Sequence, residues 1–240
     1  MKNSLAKIVI TATRGLLDLI VPRLCAVCGT TLIEGEDVMC LGCRATLPVT
    51  NIHLKQSNDI QYRLISLKAP LCRCTSYFYY HKENQYAKLI HDAKYHGRPR
   101  IGRVLAREHS AKLLADGFFD GIDAIAPIPL HFIKHLRRTY NQSEEIARGI
   151  SDVTGLPIID NLKAARYHAT QTRKSAAERK INASGSFKVT RKEEIEGLHI
   201  LIVDDVITTG ATMLEAMETL KTTVPTVTLS VFSLALTSNS

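Results

Sequence analysis

The apolar residues of this chain change their spacing along its length. Leu5, Ile8, Val9, Ala12, Leu16, Leu19 and Ile20 fall near helical spacing, so residues 1–22 predict an amphipathic N-terminal helix. Residues 23–50 carry clustered cysteines in place of long apolar runs, and residues 51–75 read as a polar, irregular linker. Beyond them, strand-like and helix-like runs alternate. Residues 77–80, 122–128, 198–203 and 227–236 predict strands, and residues 86–95, 101–115, 143–153 and 211–220 predict helices. This alternation predicts an α/β domain over residues 76–240 with a mostly parallel sheet, whose ligand lies beyond the carboxyl ends of the strands.

The run 201–212 carries the most chemistry. Leu201-Ile202-Val203 form a buried strand that ends in Asp204 and Asp205, and Thr208, Thr209, Gly210, Ala211 and Thr212 then open a helix. A helix start offers free backbone N–H groups and the positive end of the helix dipole, which suit a phosphate. Gly210 lets the backbone approach closely, and the threonine hydroxyls add donors. Two carboxylates beside a bare polyanion would repel it. They suit sugar hydroxyls, with Mg²⁺ neutralising the rest of the ligand. A 5′-phosphorylated ribose satisfies both ends, whereas a simple N-cap with exposed acids is the plain structural alternative. Neither G-x-x-x-x-G-K-[ST] nor G-x-G-x-x-G occurs, which argues against a P-loop motor or a dinucleotide fold.

Cys25, Cys28, Cys40 and Cys43 form C-x2-C-x11-C-x2-C. Two tight turns of this kind aim four thiolates at one point, the arrangement that closed structural Zn²⁺ sites use. Gly29 stands where such a knuckle takes a positive φ. Two disulfides in a secreted protein are the alternative, but no small-residue cleavage site of a signal peptide precedes Cys25. Cys72 and Cys74 form C-x-C on an expected strand and would face the same side. Two reduced thiols on a sheet face is the reading taken for them, against a second metal held with His53 or His81.

The 201–212 run resembles the signature of type I phosphoribosyltransferases, which bind 5-phosphoribosyl-1-pyrophosphate (PRPP). The resemblance implies Asp204 and Asp205 at the ribose hydroxyls, and residues 208–212 around the 5′-phosphate. It places the pyrophosphate side at Lys94, Pro129, Leu130, His131 and Arg138. Hypoxanthine-guanine members carry an acid where Thr208 stands, so their purine chemistry is not implied. The motifs Lys94-Tyr95-His96-Gly97, Pro127-Ile128-Pro129-Leu130, Arg138-Thr139-Tyr140-Asn141-Gln142-Ser143, Thr170-Gln171-Thr172 and Arg179-x-x-Asn182 precede the signature in that order. With the zinc ribbon in front, roughly residues 5–236 resemble the ComF family of bacterial competence proteins. Thr139 stands where that family usually has Gly.

Composition narrows the partners. At 45% hydrophobic and 22% charged residues, the 240-residue chain can fold around a core, which excludes a disordered protein. Its net charge is +8, and residues 131–192 account for all of it, with 13 Lys and Arg against 5 Asp and Glu. Arg137, Arg138, Arg166, Arg173, Lys174 and Arg179 lie there, with Tyr140 and Tyr167 among them. Such a stretch fits a phosphate-rich ligand, a DNA strand, or a solvated surface without a partner. The few rings favour the phosphate ligand over a base-stacking platform.

No apolar stretch reaches the roughly 18 residues of a spanning helix. A cytoplasmic location is therefore expected. The helix over 1–22 would dock on the protein, or else touch the inner face of the membrane.

Three functions stand as expectations. The first, from the resemblance, is a PRPP-binding protein in DNA uptake and natural transformation, with single-stranded DNA and a helicase as partners. The second is a phosphoribosyltransferase (a glycosyltransferase) that displaces pyrophosphate with a nitrogen nucleophile, for which Lys94 and His131 are candidate bases. The third is a non-catalytic PRPP sensor.

Overall fold

The computed structural model describes residues 22–55, 59–64, 71–95, 97–130, 140–165 and 186–238. The helix expected over 1–22 lies outside them, Pro22 excepted. The chain divides into two units, Met1–Leu47 and Pro48–Ser240.

The first unit is built on its cysteine turns. An antiparallel bridge joins Leu24 to Thr31, and Gly29 takes φ +76° at the first knuckle. A short helix, α1 (Leu41–Ala45), starts beside the second knuckle with Cys40 as its N-cap. Glu36 ties the turns together, accepting N–H bonds from Ile33 at 2.9 Å and Leu41 at 2.7 Å. Those two donors hold its carboxyl below the usual carboxylate range. Ala26, Val27, Leu32, Val38, Met39 and Leu47 are buried here. A core of the size these described residues make ordinarily needs a staple.

The second unit runs, in chain order, through α2 (Asp59–Arg63), β1 (Cys74–Tyr80), α3 (Ala87–Tyr95), α4 (Pro99–Ala115), β2 (Ala124–Pro127), α5 (Gln142–Thr154), β3 (Leu162–Ala164), β4 (Phe187–Val189), β5 (His199–Ile207), α6 (Ala211–Thr223) and β6 (Thr228–Thr237). Among the described residues β1, β6, β5 and β2 pair in that order, all parallel. β5 and β6 lie in the middle, covered on both faces, which is why they read as continuous apolar runs. Alternation divides β5 between two cores. Ile200 and Ile202 join Met213, Met217 and Leu220 of α6, together with Ile52, Ile60 and Leu64. Leu201 and Val203 point the other way, towards the side where α5 packs on β5 and β2.

α4 and α5 pack closely because Gly149 lets them. A Cβ on Gly149 would stand 2.3 Å from the carbonyl oxygen of Arg103, and one on Gly102 would stand 3.4 Å from Ile146 Cγ1. Outside this seam Arg103 donates two hydrogen bonds to Asp152, at 2.7 and 2.8 Å. No helix among the described residues is long and apolar enough to cross a membrane.

The structure departs from the sequence reading in three places. β5 continues through Asp204 and Asp205 to Ile207, because β6 supplies ladder partners as far as Leu236. Pairing with the neighbouring strand overrides the poor strand preference of the acids. The stretch 51–75 contains a 3-10 turn, Ile52–Leu54, and α2. Its Ile52, Ile60 and Leu64 are fully buried, although polar neighbours conceal them in the sequence. The antiparallel pair β3–β4 was not foreseen, since three-residue strands carry no period to read.

Candidate functional site

The carboxyl end of β5 opens into a cavity of about 540 Å³, which Asp204 and Asp205 line. It sits where parallel α/β sheets bind ligands, beyond the strand ends. Asp204 Oδ1 accepts a hydrogen bond from Ser143 Oγ at 3.1 Å and another from the Asp205 N–H at 2.8 Å. Asp205 Oδ2 pairs with Lys94 Nζ at 3.0 Å. Burial of the Asp204 carboxyl, reinforced by the neighbouring Asp205 charge, pushes its pKa up to about 7. The two acids are thus electrostatically unequal, one holding a cation and the other inclined to keep its proton.

Local sequence explains how Ser143 and Lys94 reach this point. Asn141 caps α5, its Oδ1 accepting the Ser143 N–H at 3.1 Å, and its Nδ2 donates to the Ile128 carbonyl at 3.1 Å. One side chain therefore joins the start of α5 to the segment that follows β2. Gln142 Nε2 donates to the Ala93 carbonyl at 3.4 Å, and Tyr140 Oη donates to the same oxygen. These bonds fix the end of α3, from which Lys94 reaches Asp205.

The loop after β5 turns into α6 at Gly210, which takes φ +86°. That conformation suits glycine and frees the first N–H groups of a 13-residue helix. The Ala211 N–H donates to Thr209 Oγ1 at 3.4 Å. Thr208 and Thr212 line the cavity; Thr208, Thr209, Ala211 and Thr212 are exposed, whereas Gly210 is buried. On the expected pyrophosphate side, Pro129 and Leu130 line the same cavity, and so does Lys94. His131 and Arg138 lie outside the described residues, as do the other arginines and lysines singled out between 137 and 179.

Several cavity residues had no signal in the sequence reading. Tyr80, Lys82 and His91 reach the cavity, as do Ser186, Phe187 and Glu215. Glu215 on α6 accepts the Ser186 N–H, which anchors the start of β4 over the cavity. Lone residues at these positions carry no motif, and only the fold brings them together.

In the first unit, the sulfurs of Cys25, Cys28, Cys40 and Cys43 lie within 4.8 Å of one another. The Cys28 and Cys40 sulfurs are 3.7 Å apart. Tetrahedral zinc with Zn–S bonds of about 2.3 Å sets its sulfurs about 3.8 Å apart, so the donor set fits this metal. The Cys25 sulfur accepts the Cys40 N–H at 3.4 Å and the Cys40 sulfur accepts the Cys43 N–H at 3.5 Å, as thiolates in such turns do. Hydrogen bonds from Thr30 lower the Cys28 thiol to about 6, while burial raises that of Cys43.

Cys72 and Cys74 line a separate cavity of about 280 Å³ with His53 and Asp116. Their ligand atoms do not converge: among the described residues, only the four-cysteine group does. His53 instead pairs with Asp116 at 3.1 Å.

Residues 99–235 match the phosphoribosyl transferase domain family. The chain is 31% identical over 219 residues to DNA utilization protein YhgH of Escherichia coli K12, an alignment covering 84% of this chain and 92% of that one. It is 33% identical over 136 residues to the protein of the same name from Salmonella typhi, covering 55% of this chain and 59% of that relative's length. It is 34% identical over 101 residues to Competence protein F of Haemophilus influenzae, covering 41% and 44%.

Proposed function

The chain belongs to the phosphoribosyl transferase domain family, as a relative of DNA utilization protein YhgH, and on that premise we propose that it binds PRPP and acts in the uptake and use of DNA. The observation that carries the ligand is the joining, in one cavity, of two acids with the start of α6. Asp204 and Asp205 accept hydrogen bonds from the ribose hydroxyls. Residues 208–212 receive the 5′-phosphate on backbone N–H groups and threonine hydroxyls. Lys94 leaves Asp205 as the ribose arrives and turns to the pyrophosphate, beside Pro129 and Leu130. His131 and Arg138 complete that side.

Mg²⁺ accompanies the pyrophosphate and neutralises its charge. The cavity offers oxygen donors suited to a hard cation, among them the carboxylates of Asp204, Asp205 and Glu215, of which Asp204 accepts from Ser143 and Asp205 pairs with Lys94. Zn²⁺ is held by Cys25, Cys28, Cys40 and Cys43 as a structural ion with every position filled by sulfur. Thiolate ligation and a phosphorylated sugar ligand both suit a cytoplasmic protein.

Single-stranded DNA is the proposed macromolecular partner, through the basic stretch 131–192. A helicase would supply the motion, because this sequence carries no nucleotide-hydrolysing loop. A second reading, turnover of PRPP with a nitrogen nucleophile, is favoured by one observation. His91, three residues before Lys94 on α3, also lines the cavity and would offer an imidazole nitrogen to an incoming nucleophile. Without turnover, the same site would serve as a PRPP sensor.

Calorimetric titration of the zinc-loaded chain with PRPP and Mg²⁺ tests the ligand. Wild-type binding lost in a folded Asp204→Asn, Asp205→Asn variant supports the site, and equal binding by that variant overturns it. Pyrophosphate release with candidate amines separates the enzyme from the sensor. A steep fall in oligonucleotide affinity with salt supports the DNA partner, and no binding at low salt removes it.

A further inference from the structure

We propose that Arg63 is a positioning residue for the loop 208–212, acting from a segment that precedes the matched domain. The inference rests on the reading that this loop holds the 5′-phosphate. Arg63 lies at the end of α2, within the stretch that the sequence presents as linker. Its guanidinium spans the ends of two adjacent strands. Nη1 donates to the Thr208 carbonyl, to the Ile207 carbonyl at 3.4 Å and to Thr237 Oγ1 at 3.0 Å, and Nη2 donates to the Thr237 carbonyl. Thr237 Oγ1 also lies 3.4 Å from the Thr208 carbonyl, as a donor to it.

A phosphate-binding loop must aim N–H groups at its ligand, and its carbonyl oxygens must then point elsewhere. A carbonyl turned towards the phosphate would repel it. Arg63 supplies a fixed destination for the carbonyls of Ile207 and Thr208, at the point where β5 becomes the loop. A planar fork with five donors can hold several oxygens on two strands at once, whereas a lysine offers a single charged point.

The same residue also packs behind the loop. A Cβ on Gly210 would stand 3.3 Å from Arg63 Cβ and 3.4 Å from Leu64 Cδ2, so α2 forms the back wall of the turn. Ile60 and Leu64, both buried, anchor that wall in the core shared with α6. Arg63 is therefore tied to the shape of the 5′-phosphate pocket and not to the pyrophosphate side, where Pro129 and Leu130 stand.

The experiment compares wild type, Arg63→Gln, Arg63→Lys and Ile122→Val as full zinc-loaded chains. Ribose 5-phosphate and pyrophosphate are titrated separately, each with Mg²⁺. If wild type binds neither ligand, the PRPP reading fails whatever Arg63 does. Given wild-type binding, Arg63→Gln is expected to weaken ribose 5-phosphate at least tenfold while pyrophosphate stays within twofold. Arg63→Lys is expected to recover part of the loss, and it carries the same comparison if the glutamine variant does not fold. Ile122→Val trims the core ahead of β2, at the opposite end of the sheet from the cavity, and is expected to lower the melting temperature with both affinities unchanged. Unchanged ribose 5-phosphate affinity in the Arg63 variants overturns the inference. So does an equal loss of both ligands, or a selective loss reproduced by Ile122→Val.

Discussion

Lys94 Nζ stands 3.0 Å from Asp205 Oδ2, while Asp204, the preceding residue on β5, takes its hydrogen bonds from Ser143 and the Asp205 amide. Adjacent acids are thereby given different partners from different helices. One consequence is a site that carries its own counter-charge before any ligand arrives. Another is that Asp204 stores free energy against the fold.

The first prediction concerns that stored energy. Burial raises Asp204 from its ordinary 3.8 to about 7. A carboxyl with a raised folded-state pKa keeps its proton in the native state where the unfolded chain has lost it. Stability therefore falls as pH climbs from about 4 to about 7, and the full penalty persists above. The upper bound is about 4 kcal/mol, at roughly 1.4 kcal/mol for each tenfold change in proton affinity. Asp204→Asn should melt above wild type at pH 8 and close to it at pH 4.5. A variant less stable than wild type at pH 8 would sink this account.

Lys94 opposes the rise. Its charge is among the influences that lower the Asp204 pKa, so Lys94→Gln should move the Asp204 midpoint further above about 7. Carboxyl carbon shifts followed by NMR across pH give the midpoint directly. A midpoint that moves down, or stays in place, would mean that Lys94 and the acid pair do not interact in solution.

The sulfur cluster yields a third expectation. A zinc ion held by all four thiolates would staple a unit that has, among its described residues, a handful of buried apolar side chains. Purified protein should carry one zinc per chain by mass spectrometry under native conditions. Cys28→Ser should lose both the metal and the thermal transition of this unit. Retention of the metal at full stoichiometry by that variant would remove Cys28 from the ligand set.

Much of this was legible in the sequence, for identifiable reasons. The run 198–203 was readable because a strand covered on both faces is apolar throughout, and α6 because its apolar residues keep helical spacing after Gly210. The cysteine turns were readable because a metal fixes ligand spacing. The opening of β1 was legible from the C-x-C pair leading into Tyr77, although Thr75 and Ser76 look polar; Cys74, Thr75 and Ser76 are all buried. Arg63 and Glu215 were missed. Each acts on a loop brought near only by the fold, 145 residues away for the Arg63 bond to Thr208 and 29 for the Glu215 bond to Ser186. No local period or spacing records a contact of that kind.

The last prediction tests how the helix layer holds the site. Alanine is a better helix former than glycine by about 1 kcal/mol, so Gly→Ala within α4 or α5 would stabilise the chain if space allowed. At Gly102 the nearest atom to an added Cβ is Ile146 Cγ1 at 3.4 Å, an ordinary contact distance, and Gly102→Ala should be neutral or slightly stabilising. At Gly149 the nearest atom is the Arg103 carbonyl oxygen at 2.3 Å, with Ala106 Cβ at 2.9 Å. Backbone cannot step aside as a side-chain tip can, so overpacking outweighs propensity. A net loss of about 1–3 kcal/mol is expected for Gly149→Ala. Because α5 begins with the residues that grip Ile128 and Asp204, displacing it should also weaken PRPP binding. Chemical denaturation and calorimetry on the two variants measure both effects. Equal behaviour of the two would show that the close seam between α4 and α5 does not govern the position of Ser143.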